Sequence, residues 1–348
     1  MKLREQVPPI PSGHLDFTRI GASDVPAILG VDKYKSAHDV FLRLTNDEGR
    51  LEHDAPERLK EAAAWGHRTE PLTAVALCER LGLEIDDLRK GESRVLEACE
   101  WARVSPDYLL ADGSNGLIEC KLISARRFDS ESWGDDGSDE VPARIKAQVY
   151  FQLQALKMEP EYWKEQGVDA EALEGAHVGV CVGGQRLRHY WLPWDPKLGA
   201  YLRSTCEALW FEHVLEGIPP DADGSEGCAK ALALMASPEA PQRAATEEER
   251  EILEEVLEAK EAVDAAKARV LESENRLKAL IGRENGGIVA GDLKASWTQR
   301  KGSTSWQAVA KEIAARTDSE SLLETLKAEL VGRPSRYLRT SRRKAKKS

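Results

Sequence analysis

The spacing of hydrophobic and polar positions predicts helices near the start of the chain. Apolar residues recur there at helical spacing over three stretches: 24–29, 37–44 and 55–81. Ser23 is placed to cap the first helix, and Gly30 to end it. We expect Gly66 and Pro71 to interrupt the third helix, since both residue types disfavour a helix interior.

The middle of the chain, residues 92–217, changes to short apolar runs bounded by turn residues, which are typical of strands. The predicted strands are 93–97, 102–110, 116–123, 177–182 and 187–194. A turn at 111–116 and the pair Gly183–Gly184 each predict a hairpin. Helical spacing returns over 141–157 and again after Asp195, which can cap a helix that ends at Gly217. This alternation predicts an α/β domain.

The C-terminal third has a different pattern. Residues 218–245 are rich in Pro, Gly, Ala and Asp, which favours a linker. One long helix is predicted from Thr246 to about Gly282, and its apolar residues repeat every seven positions: Val256, Val263, Val270 and Leu277. This seam fits either packing within the chain or self-association. The predicted organisation is a core domain over 1–217, the linker, a long helix over 246–285, and a small appendage over 286–348.

Composition narrows the class of protein. The chain has 348 residues, of which 41% are hydrophobic and 31% charged, as in ordinary globular proteins. No apolar run approaches the ~20 residues that span a bilayer, and the first 17 residues lack the pattern of a secretory signal. We therefore expect a cytoplasmic protein. Its six cysteines form no C-x-x-C pair, which favours reduced thiols over a zinc or iron–sulfur site.

The chain has a net charge of −11, which by itself would argue against a nucleic-acid partner. The distribution is uneven, however. Residues 333–348 contain eight Arg or Lys residues and no acid. A basic tail of this kind is either a solvated terminus or a segment that attracts phosphate.

Candidate chemistry lies on two of the predicted strands, in Ser105-Pro106-Asp107 and Glu119-Cys120-Lys121. Side chains alternate faces along a strand, so Glu119 and Lys121 project together and Asp107 can reach them from the neighbouring strand. Two close carboxylates repel unless a cation lies between them, which predicts a site for Mg²⁺ or Mn²⁺. Such an ion can promote hydrolysis of a phosphodiester.

The alternative is a solvated Glu–Lys pair on an exposed sheet face. Both strands are otherwise apolar, with Tyr108-Leu109-Leu110 in one and Leu117-Ile118 in the other. Unpaired charge is costly in such strands. A helix bearing Gln148 also follows the second strand, and both features favour a site.

Four motifs, in order along 17–217, resemble those of the YqaJ-like viral recombinases, relatives of the lambda-type phage exonucleases in the PD-(D/E)XK nuclease superfamily. They are Gly21-Ala22-Ser23-Asp24, the Trp65–Pro71 stretch with Glu70, the Asp107/Glu119-Cys120-Lys121 set, and Ala147-Gln148 with Gln152. The resemblance implies a restriction-endonuclease-like fold: a mixed central sheet flanked by helices, plus a long C-terminal helix and a small appendage.

The resemblance also implies roles for single residues. Asp107, Glu119, the backbone carbonyl of Cys120 and Glu70 would hold Mg²⁺ or Mn²⁺. Lys121 would act on the attacking water, and Gln148 would orient that water or a metal-bound group. For Glu70, a helix charge before Pro71 is the plainer interpretation, and for Gln148 it is a polar residue on a half-exposed helix.

Ser23 and Ser105 would help to hold a terminal 5′-phosphate. Seven residues before the first serine, the lambda-type enzymes carry an arginine that contacts this phosphate. Here Asp16 stands at that position, and Arg19 is the nearest cation. This departure leaves the polarity of digestion open.

The function implied is a Mg²⁺-dependent exonuclease that digests one strand of linear double-stranded DNA. The direction would be 5′ to 3′, and the 3′ overhang would serve a single-strand annealing protein in phage recombination. A homo-oligomer is expected. The alternatives are a defence or repair nuclease of the same fold, and a catalytically silent protein that binds DNA ends.

Overall fold

The computed structural model describes seven stretches of the chain: 18–45, 57–111, 116–235, 242–282, 286–297, 305–317 and 319–329. They belong to two compact units, residues 1–235 and 236–348, which are described separately below.

The first unit is a mixed α/β structure. Its strands are β1 (Ile20–Gly21), β2 (Leu88–Lys90), β3 (Arg94–Val95), β4 (Ala102–Val104), β5 (Tyr108–Leu110), β6 (Gly116–Ile123), β7 (Gly175–Val182) and β8 (Arg186–Pro193). Its helices are α1 (Val25–Ile28), α2 (Ala37–Thr45), α3 (Glu57–Leu81), α4 (Ala125–Ser130), α5 (Ala143–Met158), α6 (Pro160–Glu165), α7 (Pro196–Ala208) and α8 (Glu226–Met235).

Five strands form the main sheet in the order β2-β5-β6-β7-β8. The pair β6–β7 is parallel and the other neighbours are antiparallel. Parallel neighbours need a long crossover connection, and α5 lies in the connection between β6 and β7. The predicted mixed sheet flanked by helices is confirmed.

The two faces of β6 have different surroundings. Leu117 and Ile123 face the larger core cluster, together with Ile145, Val149 and other α5 residues. Ile118 and Cys120 face the second cluster with α3 residues, among them Leu77. Glu119 and Lys121 alternate with Ile118 and Cys120, so they project on the α5 side.

The predicted strand 102–110 is in fact two strands. Ala102–Val104 pairs with β1 and β3 in a separate three-stranded sheet, whereas Tyr108–Leu110 joins the main sheet. The break falls at Ser105-Pro106-Asp107. Proline has no backbone N–H to donate to a ladder and so ends a strand.

Two predictions for the N-terminal helices are wrong. Asp24 rather than Ser23 is the N-cap residue of α1, and Asp24 accepts from the Gly21 N–H at 2.8 Å. α3 continues through Gly66 and Pro71. The Thr69 hydroxyl donates to the Trp65 carbonyl at 2.9 Å, which adds a bond in the turn before the proline.

The rest of this unit mostly follows the predicted pattern. β7 and β8 form a hairpin around Gly183 and Gly184, which have φ of +62° and +73°, the left-handed region that favours glycine. The Asp195 carboxylate caps α7 by accepting from the backbone N–H of Lys197 at 2.9 Å.

Part of the predicted linker, 218–245, is helical. α8 lies within it and packs against α2, with Cys228 Sγ 3.6 Å from His38 Nδ1. The apolar face of α8 is short, with Cys228 and Ala231 buried. The high average content of Pro and Gly in the segment obscured this pattern in the sequence.

The second unit begins with α9 (Glu247–Ile281), followed by β9 (Gly287–Ala290), β10 (Leu293–Ser296), α10 (Trp306–Arg316) and α11 (Glu320–Glu329). Thr246 and Glu249 form a capping box at the start of α9, and Gly282 (φ +70°) ends it. The predicted long helix is confirmed, and the segment predicted as a small appendage contains a strand pair and a helix pair. The basic tail and the turn 112–115 lie outside the described residues.

Hydropathy gives one further result. Of the helices in the described stretches, none combines the length and the apolar character needed to cross a membrane.

Two histidines meet on the α3 side of the sheet. His177 Nδ1 lies 3.0 Å from His189 Nε2, and the Trp191 ring packs 4.4 Å from the His177 ring. Burial lowers the pKa of His177 to about 4, and the neighbouring His189 acts in the same direction. The folded protein therefore favours a neutral His177.

We expect this histidine to make the protein less stable in mild acid. Its contribution is fully present above the unfolded pKa of about 6.5 and is lost as the pH falls towards about 4. Between pH 8 and pH 5 the loss is on the order of 2 kcal/mol. Urea unfolding at both pH values should show a smaller loss for His177→Gln than for the wild type. The control His213→Gln should behave as the wild type, and an equal loss in all three proteins would contradict this account.

Candidate active site

Asp107 and Glu119 lie side by side on neighbouring strands. Tyr108 of β5 pairs with Ile118 of β6, so the next position of the same register places Asp107 beside Glu119. The Cys120 N–H donates to Asp107 Oδ2 at 2.8 Å and fixes the aspartate against β6. The strand break at Pro106 thus leaves Asp107 at the end of a strand, held by its side chain.

Glu119 is the centre of a hydrogen-bond network, although only 1% of its surface is exposed. Lys121 Nζ forms an ion pair with Glu119 Oε1, and Gln148 Nε2 donates to the same oxygen at 2.8 Å. Gln152 Nε2 donates to Glu119 Oε2 at 3.1 Å. A buried carboxylate is tolerated only with such partners.

Lys121 connects the strand to α5. Its ammonium group also donates to Gln148 Oε1 at 3.2 Å. Burial alone would lower the pKa of Lys121, but the Glu119 and Asp107 carboxylates outweigh it and raise the pKa above its usual value. Lys121 is therefore a fixed positive charge in this site.

At Asp107 the surroundings instead disfavour the charged form. Burial raises the pKa of its carboxyl group well above the ordinary value, and the negative charges of Glu119 and Glu70 add to the effect. Burial and the Asp107 carboxylate also raise the pKa of the Cys120 thiol, so this thiol stays protonated. An additional cation at this point would relieve the repulsion that Asp107 experiences.

Glu70 approaches from α3 and pairs with Lys90 of β2. The Lys90 ammonium group also lies 4.6 Å from the centre of the Tyr108 ring. β2 reaches this position because residue 91 is glycine: a Cβ there would lie only 2.0 Å from the Pro106 carbonyl oxygen. Glu70 is near enough to affect Asp107, but a lysine neutralises it here.

The chemistry of these groups suits a hard divalent ion. Asp107 and Glu119 supply carboxylate oxygens, the donors that Mg²⁺ and Mn²⁺ prefer. Burial, together with the negative charges of Glu119 and Glu70, raises the pKa of Asp107, so a bound cation would favour its charged form. Among the described residues, no three His, Cys, Asp or Glu side chains converge as a ready-made metal cage. Two carboxylates plus the Cys120 carbonyl would suffice for an ion that keeps several waters.

The predicted phosphate-binding residues are more scattered. Ser105 is exposed and directly precedes the Pro106-Asp107 turn, and Ser23 is exposed beside α1. Arg19 folds back on its neighbour, donating from Nη1 to the Thr18 carbonyl at 3.1 Å. Ser23 also has a cation nearby that was not among the predicted phosphate-binding residues.

Sequence reasoning missed Arg103 as a site residue. β4 pairs with β1 so that Arg103 lies opposite Gly21. A Cβ on Gly21 would lie 3.3 Å from Arg103 Nη2 and 3.8 Å from Ser23 Oγ, so the guanidinium group and the hydroxyl approach the same point. Arg103 donates to Ser93 Oγ at 3.0 Å, and its buried Nε has no hydrogen-bond partner in the described structure.

Gln152 is the second functional residue that received no role. It follows Gln148 by four residues, which places both amides on one face of α5. Gln152 is buried, bonds Glu119 and has no hydrogen-bond partner in the described structure for its Oε1. The helical spacing of the two glutamines was the signal that could have identified it.

Known proteins are similar to this chain in sequence or in structure. The chain is 26% identical over 286 residues to the uncharacterized protein YqaJ of Bacillus subtilis strain 168, covering 80% of this chain and 79% of that protein. Among solved structures, the alkaline exonuclease LHK-Exo of Laribacter hongkongensis aligns with 57% of this chain and 90% of its own, at 18% identity and a TM-score of 0.35. The complex of LHK-Exo with dAMP gives 16% identity, the same coverage and a TM-score of 0.33.

The match to a family model covers most of the elements described above. It begins before β1 and ends with the last residue of α5, so it includes Asp107, Glu119, Lys121, Gln148 and Gln152. Residues 4–158 of this chain match the family model of the YqaJ-like viral recombinase domain.

Proposed function

We propose that this protein is a metal-dependent exonuclease that digests one strand of linear double-stranded DNA from 5′ to 3′. The 3′ single-stranded overhang would then serve a single-strand annealing protein in recombination. The observation that supports this best is the meeting of Asp107, Glu119 and Lys121 at one partly buried point, with Gln148 bonded to both Glu119 and Lys121. The match of residues 4–158 to the family model of a viral recombinase domain supports the role in recombination.

The metal would be held by the Asp107 and Glu119 carboxylates and the Cys120 carbonyl, with Glu70 as a further carboxylate nearby. Bound there, Mg²⁺ or Mn²⁺ would polarise the phosphodiester and acidify a water molecule. The chain's own contribution is to fix these donors. The Cys120 N–H holds Asp107, while Gln152 and Gln148 hold the two oxygens of Glu119.

Lys121 would supply positive charge next to the reacting phosphate. Because its pKa is raised, the ammonium group stays protonated throughout the neutral range. A charge already held in place stabilises the developing negative charge without further reorganisation. Gln148 restricts the position of this ammonium group through the 3.2 Å bond to its Oε1.

A requirement for a DNA end tests the proposal most directly. The protein should degrade linear duplex DNA with Mg²⁺ and leave covalently closed circles of the same sequence intact. Duplexes labelled separately at each 5′ and 3′ end give the direction of digestion. Rapid nicking of the circles would instead indicate an endonuclease and contradict the proposal.

Arg103 gives a second test, of the terminal phosphate. Its guanidinium group lies near Ser23 Oγ, where its positive charge would attract a phosphate. We expect Arg103→Ala to reduce the preference for 5′-phosphorylated over unphosphorylated ends by roughly tenfold or more, because one charged hydrogen bond contributes about 1.5–3 kcal/mol. Initial rates on the two kinds of end give this ratio.

The control for Arg103 is Arg89→Ala. Arg89 is an exposed arginine of β2 whose guanidinium group binds the Asp86 carbonyl, away from Ser23. Arg89→Ala should keep the wild-type ratio of rates on phosphorylated and unphosphorylated ends. If Arg103→Ala also keeps it, the terminal phosphate binds elsewhere.

A further inference from the structure

Glu70 of α3 has a basic side chain near each of its carboxylate oxygens. The Lys90 ammonium group pairs with Oε1, and the ring nitrogen Nδ1 of His67 lies 3.7 Å from Oε2. The Glu70 side chain is only 12% exposed, whereas that of Lys90 is 55% exposed. An enclosed carboxylate is therefore paired with an ammonium group that solvent can also reach.

The strand register places Lys90 at this point. β2 pairs with β5 so that Lys90 lies opposite Tyr108, and the ammonium group lies 4.6 Å from the centre of the Tyr108 ring. The next residue, Gly91, donates its N–H to the Asp107 carbonyl at 3.0 Å. The strand that carries Lys90 is thus bonded to the backbone of the proposed metal-binding aspartate.

The charge of Glu70 reaches the centre of the site. Burial raises the pKa of the Asp107 carboxyl group, and the negative charges of Glu119 and Glu70 add to this effect. Burial and then the charge of Glu70 also raise the pKa of the Tyr108 hydroxyl. Carboxylates this close together favour a cation among them. Lys90 supplies one positive charge where a divalent ion would supply two.

We propose that Lys90 competes with the divalent ion for Glu70 and thereby weakens metal binding by the free protein. This role rests on the metal centre of the proposed function. An ammonium group and a hard divalent ion both bind carboxylate oxygens, and their positive charges repel each other when they share one carboxylate. An ion that takes Glu70 as a ligand must therefore displace Lys90.

The two lysines of the site differ in how readily they can move away. Lys121 is 22% exposed and is held by both Glu119 and Gln148. Lys90 is more exposed, so water can solvate its ammonium group after displacement. Metal binding would thus release Lys90 and leave Lys121 in place.

Mn²⁺ binding in the absence of DNA tests this role without any measurement of digestion. Isothermal titration calorimetry should give a Kd for Lys90→Met that is roughly fivefold lower than that of the wild type, because the ion no longer has to displace an ammonium group from Glu70. Methionine keeps an unbranched apolar side chain beside Tyr108. An unchanged or higher Kd would overturn the proposal.

Arg89→Met is the matched control, since it removes the same charge from the neighbouring residue of β2. The Arg89 side chain projects to the other face of the strand, and its guanidinium group binds the Asp86 carbonyl. The Kd of this variant should stay near the wild-type value. A gain in affinity equal to that of Lys90→Met would trace the effect to net charge, and the proposed competition would be wrong.

Glu70→Gln identifies the ligand for which Lys90 competes. With glutamine at this position there is no carboxylate to release, so adding Lys90→Met should change the Kd little. The effects of the two substitutions should therefore not add, as for residues in direct contact. If Lys90→Met improves binding as much in this background as in the wild type, competition at Glu70 is refuted.

Asp107→Asn distinguishes a failure of this role from a failure of the metal centre. Weaker Mn²⁺ binding by Asp107→Asn, together with equal Kd values for the wild type and Lys90→Met, would overturn the role of Lys90 alone. Equal binding by Asp107→Asn and the wild type would remove the proposed metal centre, and the role of Lys90 with it.

Discussion

Asp107→Asn is expected to leave the protein at least as stable as the wild type while lowering the rate of DNA digestion by ~10²-fold or more. Asparagine keeps the shape of the side chain and an oxygen that can accept from the Cys120 N–H. It removes a negative charge that burial and two neighbouring carboxylates disfavour. The same charge is the one that the proposed catalytic metal requires, so stability and activity should change in opposite directions.

Asp107→Asn separates an effect on catalysis from an effect on folding better than changes at Glu119 or Lys121 would. Glu119→Gln or Lys121→Met would each leave the other member of a largely buried ion pair without its partner, which can itself destabilise the fold. Urea unfolding and the initial rate on linear duplex DNA should be measured on the same samples. Glu97→Gln, whose side chain is 85% exposed, serves as the control, and near-normal digestion by Asp107→Asn would refute the assignment.

Removal of divalent metal is expected to have a comparably large effect. With excess chelator, digestion should fall to background, and Mg²⁺ or Mn²⁺ should restore it. Binding should also stabilise the fold, by about 2.7 kcal/mol when the ion concentration is 100 times its Kd. Thermal unfolding of the wild type should shift upward with Mg²⁺, whereas Asp107→Asn should shift much less because a ligand is missing.

Ionic strength is the necessary control, since Mg²⁺ also screens surface charge. The comparison solution should contain NaCl at matched ionic strength and no divalent ion. Full digestion in excess chelator would exclude the proposed metal centre. A Mg²⁺ shift of equal size in Asp107→Asn and the wild type would place the bound ion elsewhere.

Elements whose structure is determined by neighbouring residues were predicted well from the sequence. β6 has the predicted limits because its apolar run is bounded by turn residues, and α9 begins and ends at residues that cap helices, Thr246 and Gly282. The proximity of Asp107 and Glu119 was also predicted, because a hairpin brings both strands together. In each case, a few neighbouring residues determine the structure.

Features that depend on tertiary packing were not predicted. The division of 102–110 between two sheets depends on β1, which lies about 80 residues earlier and pairs with β4. Arg103 gains its position near Ser23 from that same pairing. α8 forms in a Pro- and Gly-rich region because α2 covers its apolar face. These contacts join residues that lie far apart in the chain, so the local pattern of each segment does not determine them.

The ion pair between Lys121 and Glu119 bears on how the protein acquires its proposed cofactor. A buried carboxylate needs a counter-charge before the chain can fold, and the lysine two residues away provides one on the same strand. We therefore expect the chain to fold without divalent ions, unlike a zinc finger, which stays unfolded without its metal. A newly synthesised molecule could mature in a metal-poor environment and be activated later, and chelation would be a reversible off-switch rather than a cause of unfolding.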